Sequence, residues 1–162
     1  MVDALHPHAP MSPGTYIRKR RLMAGVTAAE AAGALAALEI LAHRPTRGRI
    51  GQLQHRLAAA ETDREFFTLC EAQILRNVFP FDPNIYEQLV DLRLAGPGSA
   101  LPQPQVCRNC ACSWHDACIG TDGPCAWHEE DLCTVCATTG AAEHVHRRRP
   151  LQLVRAMPVE PA

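Results

Sequence analysis

Between Cys107 and Cys136 the chain reads CRNCACSWHDACIGTDGPCAWHEEDLCTVC, and these 30 residues hold seven of its eight cysteines together with His115 and His128. Thiols at that density have three chemistries open to them: a disulfide framework, a redox pair, or ligation of a metal. Spacing favours ligation. Cys107-x2-Cys110 and Cys133-x2-Cys136 are two CxxC knuckles separated by 22 residues. Each knuckle aims two thiolates at one cation, and the pair completes a tetrahedral four-sulfur site. Cys107, Cys110, Cys133 and Cys136 are thus the expected ligands of one zinc ion. Cys112, Cys118 and Cys125 lie between the knuckles, and Cys125-x2-His128 also has ligand spacing. Cys112, Cys118, Cys125 and His128 either build a second site or, as thiols, pack beside Trp114 and Trp127.

An iron–sulfur cluster also takes four thiolates, but paired symmetric knuckles favour zinc. A thioredoxin-like redox pair would follow a strand in a βαβ unit, and no such pattern is present. Four thiolates close the coordination sphere, so the expected zinc is structural, with no open position for a catalytic water. Glu129, Glu130 and Asp131 precede the second knuckle and read as an acidic turn. No nucleophile–base pair, phosphate loop or open metal site is legible, so neither an enzyme nor a small-molecule substrate is expected. A segment of this length buries too little surface to fold alone, and metal binding would be its folding energy.

The elements that must carry this module are helical. Residues 1–11 are Pro- and His-rich without periodicity and read as disordered. Ser12-Pro13 is a helix entry, Ser as N-cap and Pro at the first helical position, and Gly25 is the stop signal. Thr27-Ala28-Ala29-Glu30 is a capping box for a second helix reaching about Ala42. HRPTRGRIG (43–51) reads as a basic, Pro/Gly-punctuated break, followed by a helical stretch from about Ile50 to Ala60. Phe67, Cys70, Ile74 and Val78 recur at three- and four-residue steps, predicting a helix over about 63–78 with Cys70 as a small buried hydrophobe. Asp82-Pro83 opens a last helix carrying Ile85, Leu89 and Leu92 inward. AGPGSALPQPQ reads as a flexible linker. The organisation predicted is a helical domain over 12–94, a linker over 95–106, a cysteine module over 107–140 and a basic disordered tail over 141–162. The fold class is mainly α with a zinc-ribbon-like or knuckle-like appendage.

A net charge of −1 hides segregation. Residues 1–50 carry seven Lys/Arg against three Asp/Glu, while 107–143 carry one against six. A polyanion suits the N-terminal third and the Arg147–Arg149 tail, and not the cysteine module. The opening MVDALHPHAP lacks a basic and an apolar signal region. Glu30 and Glu39 interrupt the longest apolar stretch, which excludes it as a membrane span. The expected location is cytoplasmic, where dense cysteines are metal ligands more often than disulfides.

YIRKRRLMAGVTAAEAA resembles the first two helices of the lambda-repressor-like DNA-binding family, through Arg21, Gly25, Val26, Thr27, Glu30, Ala31 and Ala32. The resemblance covers residues 12–35 and continues loosely to Leu94, where FPFDPNIYEQL resembles that fold's closing helix. It implies a helix-turn-helix ancestry and double-stranded DNA as partner. In that family the next helix reads bases in the major groove, but LEILAHRPTRGRIGQ contains one Pro and two Gly, so no reading helix is expected. Arg18, Lys19, Arg20, Arg21, Arg44, Arg47 and Arg49 would then bind phosphates without sequence selection. The cysteine segment resembles short CRxCxC…C…C.W…DLC..C motifs of small phage and prophage proteins, including Trp127 and Asp131-Leu132. Together these readings predict a DNA-binding or transcription-associated accessory protein of phage or prophage type. The rival expectation is a protein-binding adaptor or phage assembly component whose zinc module is the contact surface.

Overall fold

The computed structural model describes residues 9–39 and 47–139. The first helix, α1 (Pro13–Met23), starts where the sequence directs: the Ser12 side chain accepts from the Thr15 N–H, and Pro13 occupies the first turn. It ends where Gly25 takes φ +66°, a left-handed conformation that costs glycine nothing and lets the chain reverse. After that turn α2 (Ala28–Glu39) begins with the expected reciprocal cap, in which the Glu30 N–H donates to Thr27 Oγ1 and the Thr27 N–H donates to Glu30 Oε2. The chain direction changes by 96° between the two helices.

Helix α2 buries Ala31, Ala32, Leu35 and Ala36, a small-residue stripe that lets its neighbour approach closely. That neighbour is α3 (Arg47–Ala60), which seats Leu53, Leu57 and Ala60 against it. The helix begins at Arg47, three residues before the start predicted, so the two glycines lie inside its first turns and do not break it. Residues 40–46, including Arg44 and the end predicted for α2, lie outside the described residues.

Two constraints tie α1 to the end of α3. A Cβ on Gly14 would stand 2.5 Å from the Ala60 carbonyl oxygen, so only glycine permits the contact. Its N–H donates to Asp63 Oδ1 at 2.7 Å. Further along, Arg21 grips Glu61 through Nε–Oε1 at 2.6 Å and Nη2–Oε2 at 2.8 Å, while Nη1 donates to the Val26 carbonyl.

The helix predicted over 63–78 is shorter: α4 spans Leu69–Leu75. A second capping box, Thr68 with Glu71, sets its start after Phe67. With 3.6 residues per turn, burying Ala72 and Leu75 turns position 70 outward, and Cys70 is exposed rather than buried. Helix α5 (Pro83–Ala95) opens on Asp82, whose Oδ1 accepts from the Asn84 N–H, and buries Ile85, Tyr86 and Leu89. Leu92 is half-buried. Tyr16, Phe79, Phe81 and Tyr86 form one aromatic cluster, with ring centroids 5.3 to 5.9 Å apart along the chain of contacts. The few aromatics of the sequence are thus concentrated where α1 meets α5 and the turn before it.

The remainder is small. Strands β1 (Ile119–Gly120) and β2 (Gly123–Pro124) form one antiparallel ladder, and β3 (Trp127–Glu129) and β4 (Leu132–Cys133) form another. Helix α6 (Thr134–Thr139) follows directly. Two-stranded ladders this short do not hold themselves together in water.

Segment 95–106 does not uncouple the two regions. Val106 and Ala111 belong to the apolar core of the helices, and Met23 of α1 packs on the cysteines. The Lys19 ammonium donates to the Arg108 carbonyl, and the Arg20 guanidinium pairs with Asp116. Helix α1 thus contacts both the helical core and the cysteine module.

Candidate metal centre

The turn after Cys107 builds the first half of the centre. The Ala111 N–H donates to the Cys107 carbonyl at 2.8 Å, and the Cys107 N–H donates to the Cys112 carbonyl at 2.9 Å. Ala111 sits at φ +59°, a conformation an L-residue adopts at a cost. This curl brings the Cys107, Cys110 and Cys112 thiols to one side. Strand β4 supplies the fourth thiol, Cys133. The sulfurs of Cys107, Cys110, Cys112 and Cys133 all lie within 4.8 Å of one another, and all four residues are buried. A second quartet, Cys112, Cys118, Cys125 and Cys133, meets the same limit.

These distances are those of a ligand shell rather than of disulfides. Cys110 and Cys133 sulfurs are 3.8 Å apart, Cys118 and Cys133 3.6 Å, and Cys112 and Cys125 3.6 Å. A disulfide needs about 2.05 Å. Four sulfurs placed tetrahedrally at about 2.3 Å from one ion stand roughly 3.8 Å apart.

Protonation states point the same way. Hydrogen bonding with the Cys107 thiol, then with those of Cys112 and Cys118, pulls the Cys110 thiol far down. The Cys112 thiol is pushed up, chiefly by its own hydrogen bonding with Cys107. Cys118 is raised mainly through Cys110, and Cys136 mainly by burial. Without a cation, then, these crowded thiols compete for the same protons. A divalent metal ion removes that conflict by replacing the shared protons.

Of the four outer cysteines, Cys107, Cys110 and Cys133 fall in a quartet that could hold a metal ion, with Cys112 as its fourth member. Cys136 is buried beside them, and its N–H donates to Cys133 Sγ at 3.5 Å. It sits in α6 and belongs to neither quartet. The Cys125-x2-His128 pair does not form. Cys125 joins Cys112 and Cys118, and His128 is exposed on β3. Trp127 packs toward the cysteines, and the register shift between Trp127 and Glu129 leaves His128 without a partner position in β4. His115 is exposed as well, and Trp114, 70% exposed, meets the Trp127 ring at 6.4 Å.

The acidic turn has a structural task. Arg108, one residue into the first knuckle, pairs with Glu129 at 2.8 Å and with Asp131, while its N–H donates to the Asp131 carbonyl at 2.7 Å. These contacts clamp the first knuckle to the turn before the second, and bonding to Glu129 foremost holds the Arg108 guanidinium more firmly protonated. Gln105 Nε2 adds a bond to the Glu130 carbonyl. Sequence reading missed this clamp, although Arg108 is the one basic residue among six acidic ones in 107–143.

The predicted phosphate-binding residues separate into two groups. Arg20 and Arg21 are 3% and 7% exposed, committed to Asp116 and Glu61, and do not face solvent. Lys19 is half-buried against the Arg108 carbonyl. All three are engaged by partners within the protein. Arg18, Arg47 and Arg49 are exposed, and Arg44 lies outside the described residues, as does the 140–162 segment with its arginines. No single helix among the described residues is long and apolar enough to cross a membrane. Comparison with protein-family models, curated proteins and solved structures returned no match.

Proposed function

We propose that the chain is a non-catalytic, DNA-binding accessory protein that meets the duplex with the exposed face of α3, and that its cysteine centre is a structural zinc site bracing α1 from behind. The observation that carries this reading is the make-up of α3. Its inward side is Leu53, Leu57, Ala59 and Ala60, and its outward side is Arg47, Arg49, Gln52, Gln54 and His55, with no carboxylate anywhere in the helix. Guanidinium groups suit phosphate oxygens and guanine edges, and carboxamides suit adenine edges. For the metal, an all-thiolate donor set selects soft ions, and a redox-silent tetrahedral zinc suits a buried brace.

Titrating a labelled duplex with the full chain over a salt series tests this. Binding should weaken steeply with salt, and Arg47→Ala with Arg49→Ala should reduce the log–log slope by about two. Absence of binding at low salt contradicts it.

One observation favours a second reading, a protein-binding adaptor. Trp114 and Ile119 of the cysteine module are 70% and 63% exposed, and exposed aromatic and aliphatic side chains beside a rigid centre are the usual anchors of protein contacts. A duplex titration that shows no binding hands the function to that surface.

A further inference from the structure

The two sulfur quartets are not separate sites. They share Cys112 and Cys133. From this sharing we infer that the centre is binuclear, holding two zinc ions bridged by the thiolates of Cys112 and Cys133. Cys107 and Cys110 complete one ion's shell, and Cys118 and Cys125 complete the other's.

Coordination count supports it. Two tetrahedral ions need eight metal–sulfur bonds. Six thiolates supply eight when two of them bridge, and the six residues of the two quartets contain two shared members. Distances support it independently, because sulfur pairs within both quartets sit at the edge length of a zinc tetrahedron. Cys110 and Cys133, in the first quartet, are 3.8 Å apart. Cys112 with Cys125, and Cys118 with Cys133, in the second, are each 3.6 Å apart. Five of the six ligands are enclosed, Cys107, Cys112, Cys118 and Cys133 at 0% and Cys110 at 1% exposure, and Cys125 is half-buried, so water has little access to either ion.

Charge makes the second ion favourable. A single zinc in the first quartet would leave Cys118 buried and Cys125 half-buried against a dianionic centre, with no cation to ligate. Each ion that enters displaces the protons of the thiols it binds, so that six thiols and two zinc ions give a cluster of charge −2 and release six protons. A shared sulfur carries less charge toward each metal than a terminal one, which lowers repulsion between the quartets. Cys136, outside both quartets, donates its N–H to the bridging Cys133 sulfur, a hydrogen bond suited to an electron-rich bridging atom.

This rests on the zinc reading above, and the test separates the two. Protein purified without added metal is analysed for metal content, then reconstituted with cadmium for NMR and with zinc for X-ray absorption. The expected result is two ions per chain, two cadmium resonances split by mutual coupling through shared sulfur, and metal–metal scattering at roughly 3 Å, well inside the limit of about 4.6 Å set by sulfurs bonded at about 2.3 Å to both ions. Cys118→Ser should lose one ion of the two, and Cys112→Ser should lose both. One ion per chain, or two without coupling or short scattering, overturns the bridged pair while leaving structural zinc in place. No metal, or iron with acid-labile sulfide, overturns both. Because the native chain alone yields stoichiometry, coupling and scattering, a variant that fails to fold does not remove the test.

Discussion

The helical region and the cysteine module reach a buried interior by opposite routes. Around α1 to α5 the interior is apolar and aromatic, its helix starts are capped by Ser12, Thr27, Thr68 and Asp82, and its buried charge is matched within the protein, Arg21 by Glu61. In the module the interior is made of six buried cysteines and Leu132, and the secondary structure around them amounts to two short ladders and a six-residue helix. Remove a metal from the account and the first region keeps its reasons to fold, whereas the second keeps almost none. The two are joined at α1, whose inner face packs in the apolar core while Lys19, Arg20 and Met23 reach the module.

The largest effect should come from chelation. Structural zinc contributes roughly 10 kcal/mol or more of apparent binding energy in small modules, so a strong chelator should unfold residues 107–139 outright. Because α1 is shared, the helical region should survive with a lowered melting temperature, read by circular dichroism. An unchanged melting curve would show that the regions are independent after all.

Arg21→Met comes next. It strips Glu61, 9% exposed at its side chain, of a bidentate partner, and breaking a buried pair costs about 3–5 kcal/mol. Urea unfolding should show that loss, with the metal retained. Arg20→Met probes the joint itself, and should weaken the coupling that chelation reveals, so that the helical melting temperature becomes less sensitive to metal.

A smaller effect belongs to Tyr16, whose hydroxyl accepts from the Asp82 N–H at 3.2 Å. Tyr16→Phe leaves that buried amide without its acceptor, at about 1–3 kcal/mol. Tyr16 also sets an alkaline limit. Burial raises its folded-state pKa well above the ordinary 10.0, and Tyr86 is raised for the same main reason. Above about pH 10 the unfolded chain loses protons that the folded chain keeps, so stability should fall as pH rises, by roughly 1.4 kcal/mol per pH unit for each such tyrosine. Below that pH the contribution is fully present. Tyr16→Phe should flatten the alkaline decline; an unaltered decline would assign it elsewhere. Least affected in stability should be Arg47→Ala with Arg49→Ala, within about 0.5 kcal/mol, since both side chains are exposed.

What could be read from the sequence was what depends on neighbours in the chain. Ser12-Pro13, the Thr27–Glu30 box and Asp82-Pro83 each carry their own hydrogen-bond logic within three residues, and the helices start there. Periodicity misled over 63–78 because Thr68 and Glu71 form a local cap that resets the register, turning Cys70 outward. Arg20 and Arg21 looked like a charged surface because nothing near them in sequence reveals Asp116 or Glu61 as partners. The CxxC pairs announced a thiolate centre, but which thiols converge depends on the curl at Ala111 and on the pairing of β3 with β4, which carries Cys133. Cys112 and Cys125 therefore enter the quartets while Cys136 and His128 do not.

Amide hydrogen exchange on the intact chain, with and without chelator, tests the metal-built module and its hold on α1 most directly. The account predicts that chelation abolishes protection across residues 107–139, reduces it in α1, and leaves α3 and α5 still protected. Protection of 107–139 that persists unchanged in metal-free protein would contradict it.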